Sequence, residues 1–203
     1  SAEWLASRAG VITASMFSAV RKKVGGLTEQ QAAYVKAIFS GMTEPEAMLK
    51  VGYKSKPKAE SIERALRGES VGQPSEAADA YAFRVAVERI SGTPLDEGFS
   101  TWAMKRGNEL EPKARAVYMI ETGNYVAEVG MIDHPEISMS GASPDGLVDS
   151  DGLIEIKCPN TATHIDFLRS GEPKPEYMLQ MLWQMACTGR QWCDFVRDRK
   201  SVV

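Results

Sequence analysis

Ser143-Pro144-Asp145-Gly146 is followed, with nine residues between the two acids, by Glu155-Ile156-Lys157. On a β-strand alternate side chains share a face, so Glu155 and Lys157 point the same way. The intervening Asp149-Ser150-Asp151-Gly152 reads as a hairpin turn, which would lay the Asp145 strand beside the Glu155 strand. Two carboxylates and an ammonium would then converge on one spot. Mg²⁺ takes oxygen ligands at about 2.0–2.1 Å and keeps several waters. Held by Asp145 and Glu155, it would polarise a phosphodiester and acidify a bound water. Lys157 could hold that water or help deprotonate it, and offset charge gathering on phosphorus. Taken alone, the pattern also describes a solvated hairpin with an acid near its turn. The apolar neighbours Leu153, Ile154 and Ile156 argue instead for a buried strand, where an unpaired Glu and Lys would be expensive.

The rest of the composition narrows the chemistry. With only two histidines, His134 and His164, zinc hydrolases and histidine-based nucleases are disfavoured. Cys158, Cys187 and Cys193 form no CxxC pair and, being odd in number, no disulfide framework. The net charge is −3, so any nucleic-acid site must be a local basic groove or one where metal supplies positive charge. No apolar run nears the roughly 20 residues that span a bilayer, and no signal peptide is expected. A cytosolic protein without a membrane partner is the reading.

Several elements must position the acids and the lysine. Thr13 or Ser15 is expected to cap a helix-like run to Val20, with Gly25-Gly26 as a boundary. Three short helices are expected next: Thr28 capping 29–40, Thr43 capping a helix to Lys50 closed by Gly52, and Ser55 capping a helix to Leu66 with Pro57 in its first turn. This unit, 27–71, is of helix-turn-helix type, and Lys54, Lys56, Lys58, Arg64 and Arg67 crowd its third helix. Residues 71–75 read as a linker, 76–90 as an amphipathic helix, and 101–121 as a helix kinked or broken at Pro112. Residues 125–133, 136–149 and 152–158 read as strands, 175–188 as a helix stopped by Gly189, and 192–197 as a final strand.

The Pro144-Asp145 and Glu155-Ile156-Lys157 blocks match the signature of the PD-(D/E)XK nuclease superfamily. More narrowly, the chain resembles the phage lambda exonuclease and YqaJ-like viral recombinase family. The blocks that carry the likeness are Trp4 to Ser15, Gly107 to Glu111 (GNELE), Ser143 to Leu147 with Leu153 to Pro159, and Tyr177 to Gln180 (YMLQ). The resemblance implies an α/β fold with a restriction-endonuclease-like core, a central mixed sheet flanked by helices. That core would comprise residues 1–26 and 72–203, with 27–71 inserted. It implies Asp145, Glu155 and the carbonyl of Ile156 as Mg²⁺ ligands (Mn²⁺ substituting), Lys157 as catalytic lysine, Glu111 as a helix-borne acid beside it, and Gln180 near the attacking water. Arg8, Ser15 and Ser143 match residues that engage a 5′-phosphate, a dianion suited to a guanidinium fork. The insert resembles the front of phage terminase small subunits, which implies DNA or partner contacts through Lys54, Lys56, Lys58 and Arg64. Family members continue past the last strand, so a C-terminus incomplete relative to the family is expected.

The function so implied is a 5′→3′ exonuclease on double-stranded DNA ends, making 3′ single-stranded tails for recombination in a bacterial host's cytoplasm, phage or prophage encoded. A single-strand annealing protein would be its partner and a homotrimer ring its assembly. An endonuclease using the same site, and a DNA-binding module on an inactive nuclease scaffold, are the competing readings. A plain α+β protein with a solvated acidic hairpin is the third.

Overall fold

The computed structural model describes residues 6–95, 102–159, 165 and 168–197; Trp4, Thr101, His164 and the tail from Asp198 lie outside them. In chain order the elements are β1 (Ile12–Thr13), α1 (Phe17–Arg21), β2 (Lys23–Val24), α2 (Glu29–Phe39), α3 (Glu44–Val51), α4 (Glu60–Leu66), β3 (Gln73–Pro74) and α5 (Glu76–Ser91). There follow α6 (Trp102–Thr122), β4 (Val126–Ala127), β5 (Ile132–Asp133), β6 (Ser140–Ala142), β7 (Gly146–Val148), β8 (Gly152–Lys157), α7 (Pro175–Thr188) and β9 (Trp192–Arg197). The chain divides into two compact units, Val20–Ala80 and the remainder.

In the larger unit a four-stranded mixed sheet runs β4-β7-β8-β9, antiparallel except for the parallel β8–β9 pair. A second sheet runs β1-β6-β5. The strands expected over 125–133 and 136–149 are each broken in two, because each crosses from one sheet to the other. β4 pairs with β7 and β5 with β6. Between β6 and β7 lies Pro144, which has no N–H for a ladder. Strand β8 is buried along nearly its whole length. Ile154 and Ile156 pack on Ala114 and Tyr118 of α6, together with Val126, Val148, Trp192 and Val196. Each fully buried aliphatic side chain of this kind contributes about 1.5–3 kcal/mol. Gly152 lies opposite Trp192 in the parallel pair, and a Cβ there would overlap the indole ring.

Helix α6 is continuous through Pro112, so of the kink or break expected there the break does not occur. The bond lost is the one to the carbonyl of Asn108, and both residues lie on an exposed face where water serves instead.

The smaller unit follows its capping signals in two helices of three. Thr28 and Thr43 each form a capping box, with Gln31 and Glu46, and Gly52 closes α3 in the left-handed region at φ 78°. The third helix starts at Glu60 with Ala59 as its cap, not at Ser55. A residue before proline avoids the helical region, and Lys56, before Pro57, is drawn to Glu44 at 2.8 Å. Tyr34, Val35, Ala37, Ala47 and Ile62 form this unit's own core. The segment expected to be a linker contains β3, which pairs antiparallel with β2, Lys23 opposite Pro74.

Candidate active site

The β7–β8 hairpin pairs Gly146 with Ile154, and the register carried one residue further sets Asp145 opposite Glu155. Along β8 the alternation sends Ile154 and Ile156 toward α6, and Leu153, Glu155 and Lys157 to the opposite face. Glu155 has 0% of its surface exposed. A buried carboxylate needs donors, and three converge on this one. Gln180 Nε2 donates to Oε1 at 2.7 Å and Gln184 Nε2 to Oε2 at 2.6 Å. The Lys157 ammonium forms an ion pair with Oε1. Gln180 and Gln184 are four apart on α7, hence on one helical face. An ionised carboxylate only accepts, so Glu155 fixes both amides with their NH₂ groups toward it.

Asp145 is held from two sides. Its Oδ2 accepts from the Ile156 N–H at 2.6 Å, and its main-chain carbonyl accepts from Arg115 Nε at 3.0 Å. Burial, then the charges of Glu155 and Glu111, push its carboxyl up to about 7. Burial works to lower the Lys157 ammonium, but the attraction of Glu155 outweighs it and the group sits above its ordinary value. The ammonium also lies 5.3 Å from the Tyr177 ring centroid, and that ring stacks on Phe195 of β9. Glu111, on α6, is raised by burial despite its partner Arg115, whose Nη2 donates to it at 2.7 Å.

Arg115 is the residue that the sequence reading missed. Its guanidinium, 7% exposed, joins Glu111, the Asp145 carbonyl and the carboxylate of Glu128. The signal was present: Glu111 and Arg115 stand four apart, which on a helix is a contact. Gln180 and Gln184, one turn apart, are easily confused in the sequence, and the structure sets both on Glu155.

The two carboxylates, with a strand backbone between them, make an oxygen-only donor set. Two facing acids, one pushed up to about 7, are relieved by a hard divalent cation, the class of ion that an oxygen-only donor set suits. Among the described residues, no three His, Cys, Asp or Glu side chains cluster closely enough to hold a metal. Glu111 is engaged by Arg115.

The model of the YqaJ-like viral recombinase domain matches residues 3–191. The chain belongs to the YqaJ-like viral recombinase family. An alkaline exonuclease from Laribacter hongkongensis, LHK-Exo, is 41% identical, with a TM-score of 0.66 over 97% of this chain and 73% of that one. The same exonuclease in complex with dAMP gives 41% identity and a TM-score of 0.65, over 100% and 76% of the two chains. A phage-related exonuclease from Haemophilus somnus 129PT is 16% identical with a TM-score of 0.44 over 87% and 69%, too distant to argue from. A comparison with curated proteins found no match. This YqaJ-like chain is therefore a nuclease of exonuclease type with the mixed α/β fold of its neighbours.

Other residues singled out in the YqaJ-like sequence fall into two groups. Arg8 Nη2 donates to Ser15 Oγ at 3.4 Å, and Ser15 Oγ lies 3.3 Å from Thr13 Oγ1. Thr13 precedes a short 3₁₀ turn without capping it through its side chain. Strand β1 runs parallel to β6, Thr13 beside Gly141, so the segments leading to Ser15 and Ser143 leave the pair at the same end. Ser143 Oγ donates to Met131 Sδ at 3.4 Å. Lys54, Lys56, Lys58 and Arg64 belong to the smaller unit. There Lys56 is paired with Glu44, and Arg64 with Glu69 at 3.0 Å, which cancels part of the expected positive surface.

Proposed function

We propose that this protein is a Mg²⁺-dependent 5′→3′ exonuclease that degrades one strand of linear double-stranded DNA and leaves 3′ single-stranded tails for recombination. The observation that carries the reading is Asp145 set across the hairpin from Glu155, with Lys157 on the same face as Glu155. Asp145, Glu155 and the carbonyl of Ile156 would hold the ion. When bound, it would supply Lewis-acid polarisation of the scissile phosphate and a more acidic water.

The chain's own groups do the rest. Lys157, held charged by Glu155, acts as donor and charge stabiliser for the phosphoryl oxygens rather than as a base. Gln180 and Gln184 keep the Glu155 carboxylate in one rotamer. Arg115 holds Glu111 and the Asp145 backbone in one arrangement. Arg8, with Ser15 and Ser143, receives the terminal 5′-phosphate through charge-assisted hydrogen bonds. Water attacks phosphorus and the P–O3′ bond breaks, so the departing nucleotide keeps its 5′-phosphate. The next nucleotide inherits a new one, and each cut regenerates the group that Arg8 would read. LHK-Exo is described in complex with dAMP, a deoxynucleoside monophosphate, the product class this cleavage yields.

The same reading includes a single-strand annealing protein as partner, a ring of three copies, and action in a bacterial host's cytoplasm. The inserted unit is read as a terminase-like DNA contact, with exposed Lys54 and Lys58 as its phosphate ligands. Digestion of a linear, end-labelled duplex with and without Mg²⁺ tests the core proposal. Mononucleotides should appear from the 5′ ends only with the metal. Release from 3′ ends, or cutting of closed circles, would reject it.

A further inference from the structure

Glu88 of α5 is 4% exposed, an uncommon place for a carboxylate. Arg84 approaches its Oε1 at 3.5 Å, and two backbone N–H groups donate to it: Gly10 to Oε2 at 2.8 Å and Leu95 to Oε1 at 3.1 Å. The next residue, Arg89, takes the other end of Gly10, its Nε donating to the Gly10 carbonyl at 2.7 Å and its Nη2 to the Met139 carbonyl at 3.3 Å. Gly10 is thus gripped at both its N–H and its C=O by adjacent residues of one helix. It sits at φ 70°, a conformation that favours glycine. Two turns earlier on α5, Tyr81 Oη accepts from the Thr13 N–H at 3.3 Å. Besides Leu95 and Met139, the peptides that α5 holds are Gly10 and Thr13, both between Arg8 and Ser15.

We infer that Glu88 is a positioning residue for end recognition: with Arg89 it fixes the Gly10 turn that presents Arg8 and Ser15 to the terminal phosphate. This rests on the reading of Arg8 as the phosphate anchor. A guanidinium engages a phosphate only in a narrow range of orientations, and Arg8 is carried on a turn in which the N–H groups of Ala9 and Val11 donate back to the carbonyls of Ala6 and Arg8. Burying a full charge to hold that turn makes sense if the direction of the turn matters. Glutamine at 88 keeps the size but offers one acceptor where the carboxylate offers two.

The test uses duplexes identical but for a 5′-phosphate or a 5′-hydroxyl, with steady-state rates for the wild type, R8A, E88Q and R89K. Glu88→Gln should lower the phosphate-over-hydroxyl ratio of kcat/KM by about tenfold, chiefly through KM on phosphorylated ends, the size expected for misdirecting a charge-assisted contact. Arg89→Lys, on the exposed side of the helix, should lower the ratio by about threefold and answers the question if E88Q does not fold. An equal loss on both ends, or a wild-type ratio, in the folded variants overturns the inference. Arg8→Ala separates the two levels. If it leaves the ratio unchanged, the anchor reading fails and takes this one with it. If it lowers the ratio while E88Q and R89K do not, only the role of Glu88 and Arg89 is lost.

Discussion

In β8 the Glu155 carboxylate is fully buried and its partner Lys157 half-buried, with side chains from α7 gripping the pair and Asp145 alongside. In the smaller unit the charges of Glu44 and Lys56 lie in solvent, 41% and 65% exposed, and meet only each other. Both are ion pairs at hydrogen-bonding distance, yet they do different things. The surface pair is screened by solvent and salt and contributes little. The buried set is costly to assemble, and burial and crowding push Asp145 beside it up to about 7, a shift that the surface pair does not match.

Substitutions should separate the two regions by orders of magnitude. Asp145→Ala or Lys157→Ala should lower kcat by at least about 10³-fold while circular dichroism stays native. Wild-type turnover in either would remove the assignment. Arg115→Ala leaves Glu111 and Glu128 without their shared cation. Because the carboxylates left behind are 31% and 74% exposed, it should cost about 1–3 kcal/mol, mostly from the unmet Asp145 carbonyl and Glu111 contacts, read as a lower Tm together with reduced activity. Arg115→Lys should recover part of the Tm.

The Asp145 titration makes a smaller and more diagnostic effect. Its folded value, about 7, lies above the ordinary 3.8, so the folded protein holds this proton more tightly than the unfolded chain does. That contribution is fully present below 3.8 and is lost as pH rises through about 7. Metal-free protein should therefore melt lower at pH 8 than at pH 5, Asp145→Asn should flatten that slope, and Mg²⁺ should narrow the gap. A slope indifferent to both would contradict the crowded-acid picture. At the small end, Lys56→Ala should leave the Tm essentially where it is in the wild type. Replacing residues 27–71 by a short Gly-Ser linker should leave hydrolysis of short duplexes within about threefold, since β2 and β3 already bring the ends of that segment together. A folded but inert deletion would show that the insert belongs to the catalytic unit.

How legible each region was follows from the range of its contacts. The helices of the smaller unit end where Thr28, Thr43 and Gly52 say they should, because capping is local. The one miss, the start of α4, came from weighting Ser55 as a cap over the restriction that Pro57 places on Lys56. In the larger unit the hairpin and the shared face of Glu155 and Lys157 were readable from period-two alternation and a turn. The switches between sheets near residues 128–131 and 143–145 were not, since no local signal says which partner strand comes next. Arg115 escaped for a related reason. Its contacts to Asp145 and Glu128 span 30 and 13 positions, and only the turn-spaced contact to Glu111 was visible in one dimension.

Gly152, lying under the Trp192 indole, has a consequence for how the enzyme can fail. Sliding β9 by two residues would drive that ring into Ile154, and sliding by one would turn it onto the face of Leu153 and Glu155. Either mismatch forfeits the seat that a missing Cβ provides for the indole, so damage at this edge should yield fewer working molecules rather than molecules with altered cutting habits.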